Sequence, residues 1–252
     1  MHRCYLAPER WQDGVLIPDR DEGHHLHHVL RVEPDDVVTL FDGCGRQVQA
    51  RVAAADAGTV RLEPISAIER LPRTTPTIAL LQAVPKGTRM DTIVEKGTEL
   101  GMARLVPIMT DRTITRLDGA KADKRSERWA RIALSAAKQC GVCWIPEIAP
   151  VQSLADALTS RPTGDILLVG DLLGEPRPMA EVVDDVMARA PSSISLVIGP
   201  EGDLTPAEMA SVYRAGAIGI SMGPFVLRTD TAALFGLSVL ASRVAKRPQR
   251  GS

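Results

Sequence analysis

Leu196-Val197-Ile198-Gly199-Pro200-Glu201-Gly202-Asp203 and Ile220-Ser221-Met222-Gly223-Pro224-Phe225-Val226-Leu227-Arg228-Thr229-Asp230-Thr231-Ala232 are the two stretches on which the reading of this chain turns. Each opens on a short apolar run and closes on a glycine-bearing turn. Runs of that kind are what a parallel strand covered on both faces looks like. Glycines just past such strands let the backbone approach a ligand closely, and open α/β sheets bind ligands at those strand ends. Either turn alone is also compatible with an ordinary tight turn. The polar and small run Leu227 to Ala232, with Arg228 just before an apolar helix, is harder to read that way, because helix-start amides collect there too.

Working outward, further strands are expected at Ile78 to Val84, Leu105 to Met109, Ile166 to Gly170, Ile194 to Gly199 and Ile218 to Met222. Helical spacing joins Met90, Ile93, Val94, Gly97 and Leu100, and again Trp129, Ile132, Ala133, Ala136 and Ala137. Thr205-Pro206-Ala207-Glu208 has the capping Thr, the early Pro and the Glu of a helix start. A last helix is expected from about Thr231 to Ala245, followed by a disordered tail at 247–252. Strand–helix alternation predicts a largely parallel α/β domain over 73–246. Ahead of it, Arg70 to Pro76 reads as a linker. Residues 1–72 hold short runs at Val37 to Phe41, Val48 to Val52 and Val60 to Leu62. The hairpin signals Asp42-Gly43-Cys44-Gly45 and Asp56-Ala57-Gly58 punctuate them. That region predicts a small β-barrel.

The net charge of −1 hides an uneven distribution: residues 73–147 carry 13 Lys and Arg against 8 Asp and Glu. A local basic stretch can serve a nucleic acid where the total cannot, and it can equally be a solvated helix face. No apolar run is long enough for a membrane helix, and the first residues lack the apolar core of a secretory signal, so a cytoplasmic protein is expected. Cys140 and Cys143 form a lone C-x-x-C without a second pair, which favours packing over zinc. The histidines of His24-His25-Leu26-His27-His28 cannot all reach one ion from a regular element, so no metal is expected. No dinucleotide fingerprint, P-loop, zinc-protease or serine-hydrolase motif occurs.

The ordered motifs resemble the RsmE family of ribosomal RNA uracil-N3 methyltransferases across nearly the whole chain. The likeness runs from His2-Arg3-Cys4-Tyr5-Leu6 through His25-Leu26-His27-His28-Val29-Leu30-Arg31 and Phe41-Asp42-Gly43. It continues through Pro85-Lys86-Gly87-Thr88-Arg89-Met90-Asp91, Glu95-Lys96-Gly97-Thr98-Glu99-Leu100-Gly101 and Ala137-Lys138-Gln139-Cys140. It ends in Gly199-Pro200-Glu201-Gly202 and Leu227 to Ala232. The chain departs from the family pattern at Cys143, Asp203, Phe225 and Asp230.

The resemblance implies a PUA-like N-terminal β-barrel, a C-terminal SPOUT domain with a trefoil knot, and a homodimer. It further implies that S-adenosylmethionine is held by three loops. These are Leu168, Val169 and Gly170; then Ile198, Gly199, Pro200, Glu201 and Gly202; then Ser221, Met222, Gly223, Val226 and Leu227. The target implied is N3 of one uridine in 16S ribosomal RNA of the small subunit. A ribose 2′-O methyltransferase of the same fold and a non-catalytic ribosome-binding factor are the alternatives. Uracil N3 is a poor nucleophile until it loses its proton. Arg228 is the expected stabiliser of the resulting charge, since its planar fork suits paired carbonyl oxygens. Glu201 is the candidate proton acceptor, or else a turn cap or a structural partner of Arg228. RNA contacts are expected from Arg3, Arg31, Lys86, Arg89, Lys96, Arg112 and Arg116, with Arg125, Arg128 and Arg131 adding phosphate contacts.

Overall fold

The computed structural model describes residues 2–11, 14–56 and 59–244. The hairpin signal at Ala57-Gly58, the end of the last helix at Ala245 and the tail lie outside the described residues. The elements in chain order begin with β1 (His2–Tyr5), α1 (Arg20–His24), β2 (Val37–Phe41), β3 (Arg46–Asp56), β4 (Thr59–Pro64), β5 (Glu69–Arg70) and β6 (Thr77–Ala83). Next come α2 (Arg89–Glu99), β7 (Arg104–Met109), α3 (Gly119–Cys140), β8 (Glu147–Ile148), β9 (Gln152–Ser153), α4 (Leu154–Thr159) and β10 (Ile166–Gly170). The last are β11 (Arg177–Pro178), α5 (Met179–Met187), β12 (Ser193–Ile198), α6 (Pro206–Arg214), β13 (Ile218–Ser221) and α7 (Thr229–Arg243). The chain divides into two compact units, residues 1–73 with 137–145, and residues 74–136 with 146–252.

The first unit is a five-stranded sheet in the order β1-β2-β3-β4, with β5 also on β3. β1 runs parallel to β2, and the other pairs are antiparallel. Period-two alternation along β3 buries Val48, Ala50 and Val52 while Gln49 and Arg51 stay outside. The register sets Leu40 against Val48 and Val38 against Ala50 in a core shared with Leu6, Leu26 and Leu62. After α1 the histidine motif forms a π-helical turn, His25–Val29, which brings the rings of His24 and His28 to 4.4 Å. Among the described residues no group of three or more His, Cys, Asp or Glu could hold a metal ion.

Residues 137–145 complete this unit. Ile145 N donates to Gly43 O at 3.0 Å, and Gly45 N to Cys143 O at 3.0 Å. A Cβ on Gly43 would sit 2.6 Å from Ile145, and Gly43 has φ +74, so glycine is required there. Cys143 is buried and donates to Gln47 Oε1 at 2.9 Å.

The second unit is a parallel sheet in the order β11-β13-β10-β12-β6-β7-β8, with β9 also on β7. All six residues of β12 are buried, as expected of a central strand covered on both faces. The expected strands appear within a residue or two of their anticipated limits, and Thr205 and Glu208 form the anticipated capping box. The last helix starts at Thr229, earlier than Thr231. Because β10 lies between β12 and β13, the loops leaving the carboxyl ends of these three strands are side by side. Among the described residues no helix is long and apolar enough to cross a membrane.

Candidate active site

Those three loops enclose a cavity of about 290 Å³, close to the lower limit of roughly 300 Å³ for small-molecule sites. Its walls include Gly170, Ile198, Gly199, Pro200, Glu201, Ser221, Met222, Gly223, Val226 and Leu227, all anticipated as cofactor contacts, together with Arg228. Three anticipated contacts stand apart. Leu168 and Val169 are buried inside β10, occupied by pairing with β12 and β13. Gly202 faces Arg112, whose guanidinium donates to the Gly202 carbonyl at 2.8 Å. A Cβ on Gly202 would meet only ordinary contacts, so the chain's own packing does not require glycine there. The requirement is real at Gly223, where φ is +109; at Gly199 a Cβ would fit only tightly, 3.3 Å from Leu204 N.

Asp171, Leu172, Asp203, Ile220, Phe225, Thr229 and Ala232 also line the cavity and were not assigned from sequence. Asp203 has φ +61 and caps Leu204 N at 2.8 Å with its own carboxylate. Aspartate tolerates the left-handed region better than most residues, which explains how it can hold this turn. Asp171 is the first residue past β10. Its Oδ1 accepts from the Leu173 and Gly174 amides, and its Oδ2 from the Tyr213 hydroxyl at 2.5 Å. Burial pushes the Asp171 carboxyl up, but the Tyr213 hydroxyl and the two amides together hold it below its ordinary value. Burial, and then the bond to Asp171, push the Tyr213 phenol up to about 12.

Beneath the cavity lies a buried polar relay. Gln82 Nε2, on β6, donates to Thr229 Oγ1 at 2.9 Å, and Thr229 Oγ1 donates to Gly199 O at 2.8 Å. Gln82 is fully buried and Thr229 nearly so. The relay ties the first residue of α7 to the Gly199 turn, and so fixes the backbone that carries Arg228.

Glu201 and Arg228 stand on the same wall but are not paired. Glu201 Oε1 instead accepts from Arg89 at 2.8 Å and from the Lys86 backbone amide at 3.0 Å. Arg89 also lies 3.9 Å from Asp230, so it joins the starts of α2 and α7 to the Gly199–Gly202 turn. This corrects the alternative of a Glu201–Arg228 pair. The Arg228 side chain is exposed and has no ion pair or hydrogen bond among the described residues.

The other anticipated RNA contacts are dispersed. Arg3 donates to Val142 O and stacks on Phe41, and Lys96 lies 2.8 Å from both Glu95 and Glu99. Arg116 donates to the Thr110 and Asp111 carbonyls. Arg31 and the Lys86 side chain are exposed and have no such partner among the described residues.

The comparisons agree with this architecture. Residues 73–241 match the family described as RNA methyltransferase domain, and residues 17–65 match RNA methyltransferase PUA domain. Ribosomal RNA small subunit methyltransferase E of Mycobacterium bovis is 34% identical over 233 residues, covering 91% of this chain and 88% of the relative. The protein of the same name from Bacillus subtilis is 28% identical, covering 88% and 87%. The crystal structure of a ribosomal RNA small subunit methyltransferase E from Neisseria gonorrhoeae bound to S-adenosyl methionine superposes with a TM-score of 0.84 at 29% identity, covering 96% of this chain and 97% of that one. A putative methyltransferase from Legionella pneumophila in complex with the bound cofactor SAM gives 0.82 at 31% identity, covering 95% and 96%. The fold is accordingly that of the SPOUT methyltransferases with a PUA-like N-terminal domain, and the chain belongs to the RsmE family of ribosomal RNA small subunit methyltransferases.

Proposed function

We propose that this enzyme binds S-adenosylmethionine in the three-loop cavity and methylates N3 of one uridine in 16S ribosomal RNA of the small subunit. The observation that carries the reading is the free, exposed Arg228 on the wall of a cavity built from the ends of β10, β12 and β13. The cavity fits the cofactor's chemistry. Ile198, Ile220, Leu227 and Ala232 offer an apolar lining for a flat base, and the glycine turns offer main-chain donors and acceptors. When bound, the cofactor supplies an activated methyl group.

The chain's own residues do the rest. Arg228 holds the uracil by its carbonyl oxygens and stabilises negative charge there as N3 loses its proton. Glu201 has one oxygen, Oε1, engaged by Arg89 and the Lys86 amide. Its Oε2 accepts no hydrogen bond among the described residues and is free to take that proton. Alignment of N3 with the methyl group supplies much of the rate.

We further assign residues 1–72, with which 137–145 pack, to an RNA-binding domain, and the rest of 73–246 to the methyltransferase domain. Arg31 and Lys86 rank first among the RNA contacts, followed by Arg3, Arg89, Lys96, Arg112 and Arg116. We also propose a homodimer that covers the exposed apolar rim of Leu172, Leu173, Phe225 and Val226. Small-subunit particles purified from a strain lacking this enzyme, incubated with it and the cofactor, should yield 3-methyluridine on nucleoside mass spectrometry. Ribose methylation in its place would assign the 2′-O reaction, and absence of cofactor binding would leave a non-catalytic factor.

A further inference from the structure

A second concavity lies away from the cofactor cavity, along one face of α3. It is an open groove of about 710 Å³. Lys121, Lys124, Arg125, Arg128 and Arg131 line it, with Leu117, Ile132 and Ser135 between them. Positions 121, 125, 128, 132 and 135 follow one another at steps of three and four, so they share a single stripe of the helix. Asp123 and Glu127, the acidic residues of the same helix, do not line the groove. The sign of charge is therefore sorted by face, which a generally solvated helix does not require.

The five cations are not equivalent. Arg128 donates to Asp91 on α2 at 2.6 Å and 3.3 Å, so its charge is largely answered within the protein. Arg131 donates only to the Glu127 carbonyl, at 3.4 Å, which leaves its charge uncompensated. Lys121, Lys124 and Arg125 have no ion pair or hydrogen bond of their side chains among the described residues. From Lys121 to Arg131 the helix rises about 15 Å at 1.5 Å per residue. A cation every turn over that length matches a polymer with a regularly repeated negative charge.

We infer that this groove is a track for the phosphate backbone of the RNA substrate, separate from the residues that hold the reacting base. The inference rests on the proposed RNA reaction. It assigns Lys121, Lys124, Arg125 and Arg131 to phosphates, and Arg128 to holding the helix against Asp91. Contacts of this kind raise affinity without reading sequence, and they weaken with salt.

The test compares the full chain with the triple variant Lys121→Ala/Lys124→Ala/Arg125→Ala and the charge-keeping triple Lys121→Arg/Lys124→Arg/Arg125→Lys. Substrates are unmodified small-subunit particles for methylation and purified 16S ribosomal RNA for direct binding across a salt titration. The alanine triple should raise KM for particles and Kd for RNA by about tenfold or more. It should flatten the log Kd against log salt slope by about 2, at roughly 0.7–0.9 per phosphate contact. Cofactor affinity and kcat at saturating particles should not move, and the charge-keeping triple should behave as wild type. Wild-type RNA affinity and salt slope in the alanine triple would overturn the inference. So would an alanine triple that changes the sedimentation of the protein while leaving RNA affinity intact, because the groove would then be a contact between copies of this chain. If the wild-type enzyme leaves the particles unmethylated, the reaction assigned above fails, and the RNA titration still decides the groove.

Discussion

At the scale of single residues, the cavity wall is braced by a short chain of hydrogen bonds. Thr229 shows this best: its hydroxyl both accepts from Gln82 and donates to Gly199. Thr229→Val keeps the shape but leaves one N–H of the buried Gln82 amide, whose Nε2 retains Ala83 O, and the partly buried Gly199 carbonyl without that partner, at a cost of about 1–3 kcal/mol. We expect a lower Tm in calorimetry together with weaker cofactor binding, and we expect Thr229→Ser to restore both because it keeps the hydroxyl. Arg228→Ala should behave in the opposite way. With no internal partner to lose, it should leave Tm and cofactor affinity unchanged and lower kcat by about 10²–10³, the usual cost of one charge-stabilising donor. Single-turnover methylation beside isothermal titration would separate the two. Arg228 and the glycine turns could be singled out in the sequence because their pattern is local, and the fold brings them to one cavity. The sequence could not place Gln82, which lies 147 positions from Thr229, nor pair Glu201 with Arg89 across 112 positions. Both contacts exist only once β6 and β12 are neighbours.

At the scale of elements, parallel strands were legible because burial on both faces writes them as unbroken apolar runs. The two-residue strands β8, β9 and β11 were not, since two residues carry no period. α5 was missed although Met179, Val182, Val183 and Val186 repeat at helical spacing and are all buried. α7 buries Thr229, Ala233, Gly236, Leu237 and Leu240. A Cβ on Gly236 would collide with the side chain of Leu196, which is fully buried in β12 and would have to repack. Gly236→Ala should therefore destabilise by about 1–3 kcal/mol through overpacking, despite a helix-propensity gain of about 1 kcal/mol. Urea unfolding would read this as a lower midpoint.

The loop after β10 answers to pH. Asp171 is held below its ordinary value, so its contribution is complete at neutral pH and is lost only as pH falls through that depressed value. Cofactor affinity should then hold through mild acid. Tyr213→Phe removes one of the bonds to the carboxylate and should move the acid edge of a Kd–pH curve upward. On the alkaline side, the Tyr213 phenol should ionise late, near 12, in a spectrophotometric titration of the wild type.

At the scale of the whole molecule, the chain does not divide where its composition changes. A linker near residue 72 is visible in the sequence, yet residues 137–145 pack within the N-terminal unit. Nothing local announces this, because the partners of that segment are Gly43, Gly45, Gln47 and Glu22, about a hundred positions earlier. Glu22 is the sharpest case. Its carboxylate is buried, accepts from the Tyr5 amide and meets the Lys138 ammonium at 2.5 Å. A buried carboxylate deprived of its cation is left uncompensated, which typically costs about 3–5 kcal/mol. Lys138→Met should accordingly destabilise the N-terminal unit by that order, although residue 138 belongs in sequence to the long helix of the methyltransferase region. Replacing both partners, Lys138→Met with Glu22→Gln, removes the stranded charge and should recover much of the loss. Denaturant unfolding of the two single variants and the double variant measures the coupling directly. Strict additivity would mean that the ion pair does not hold this segment in place. A recovery in the double variant would show that the N-terminal unit depends on a residue encoded far beyond its apparent end, so a fragment cut at residue 73 should fold poorly however complete its strands.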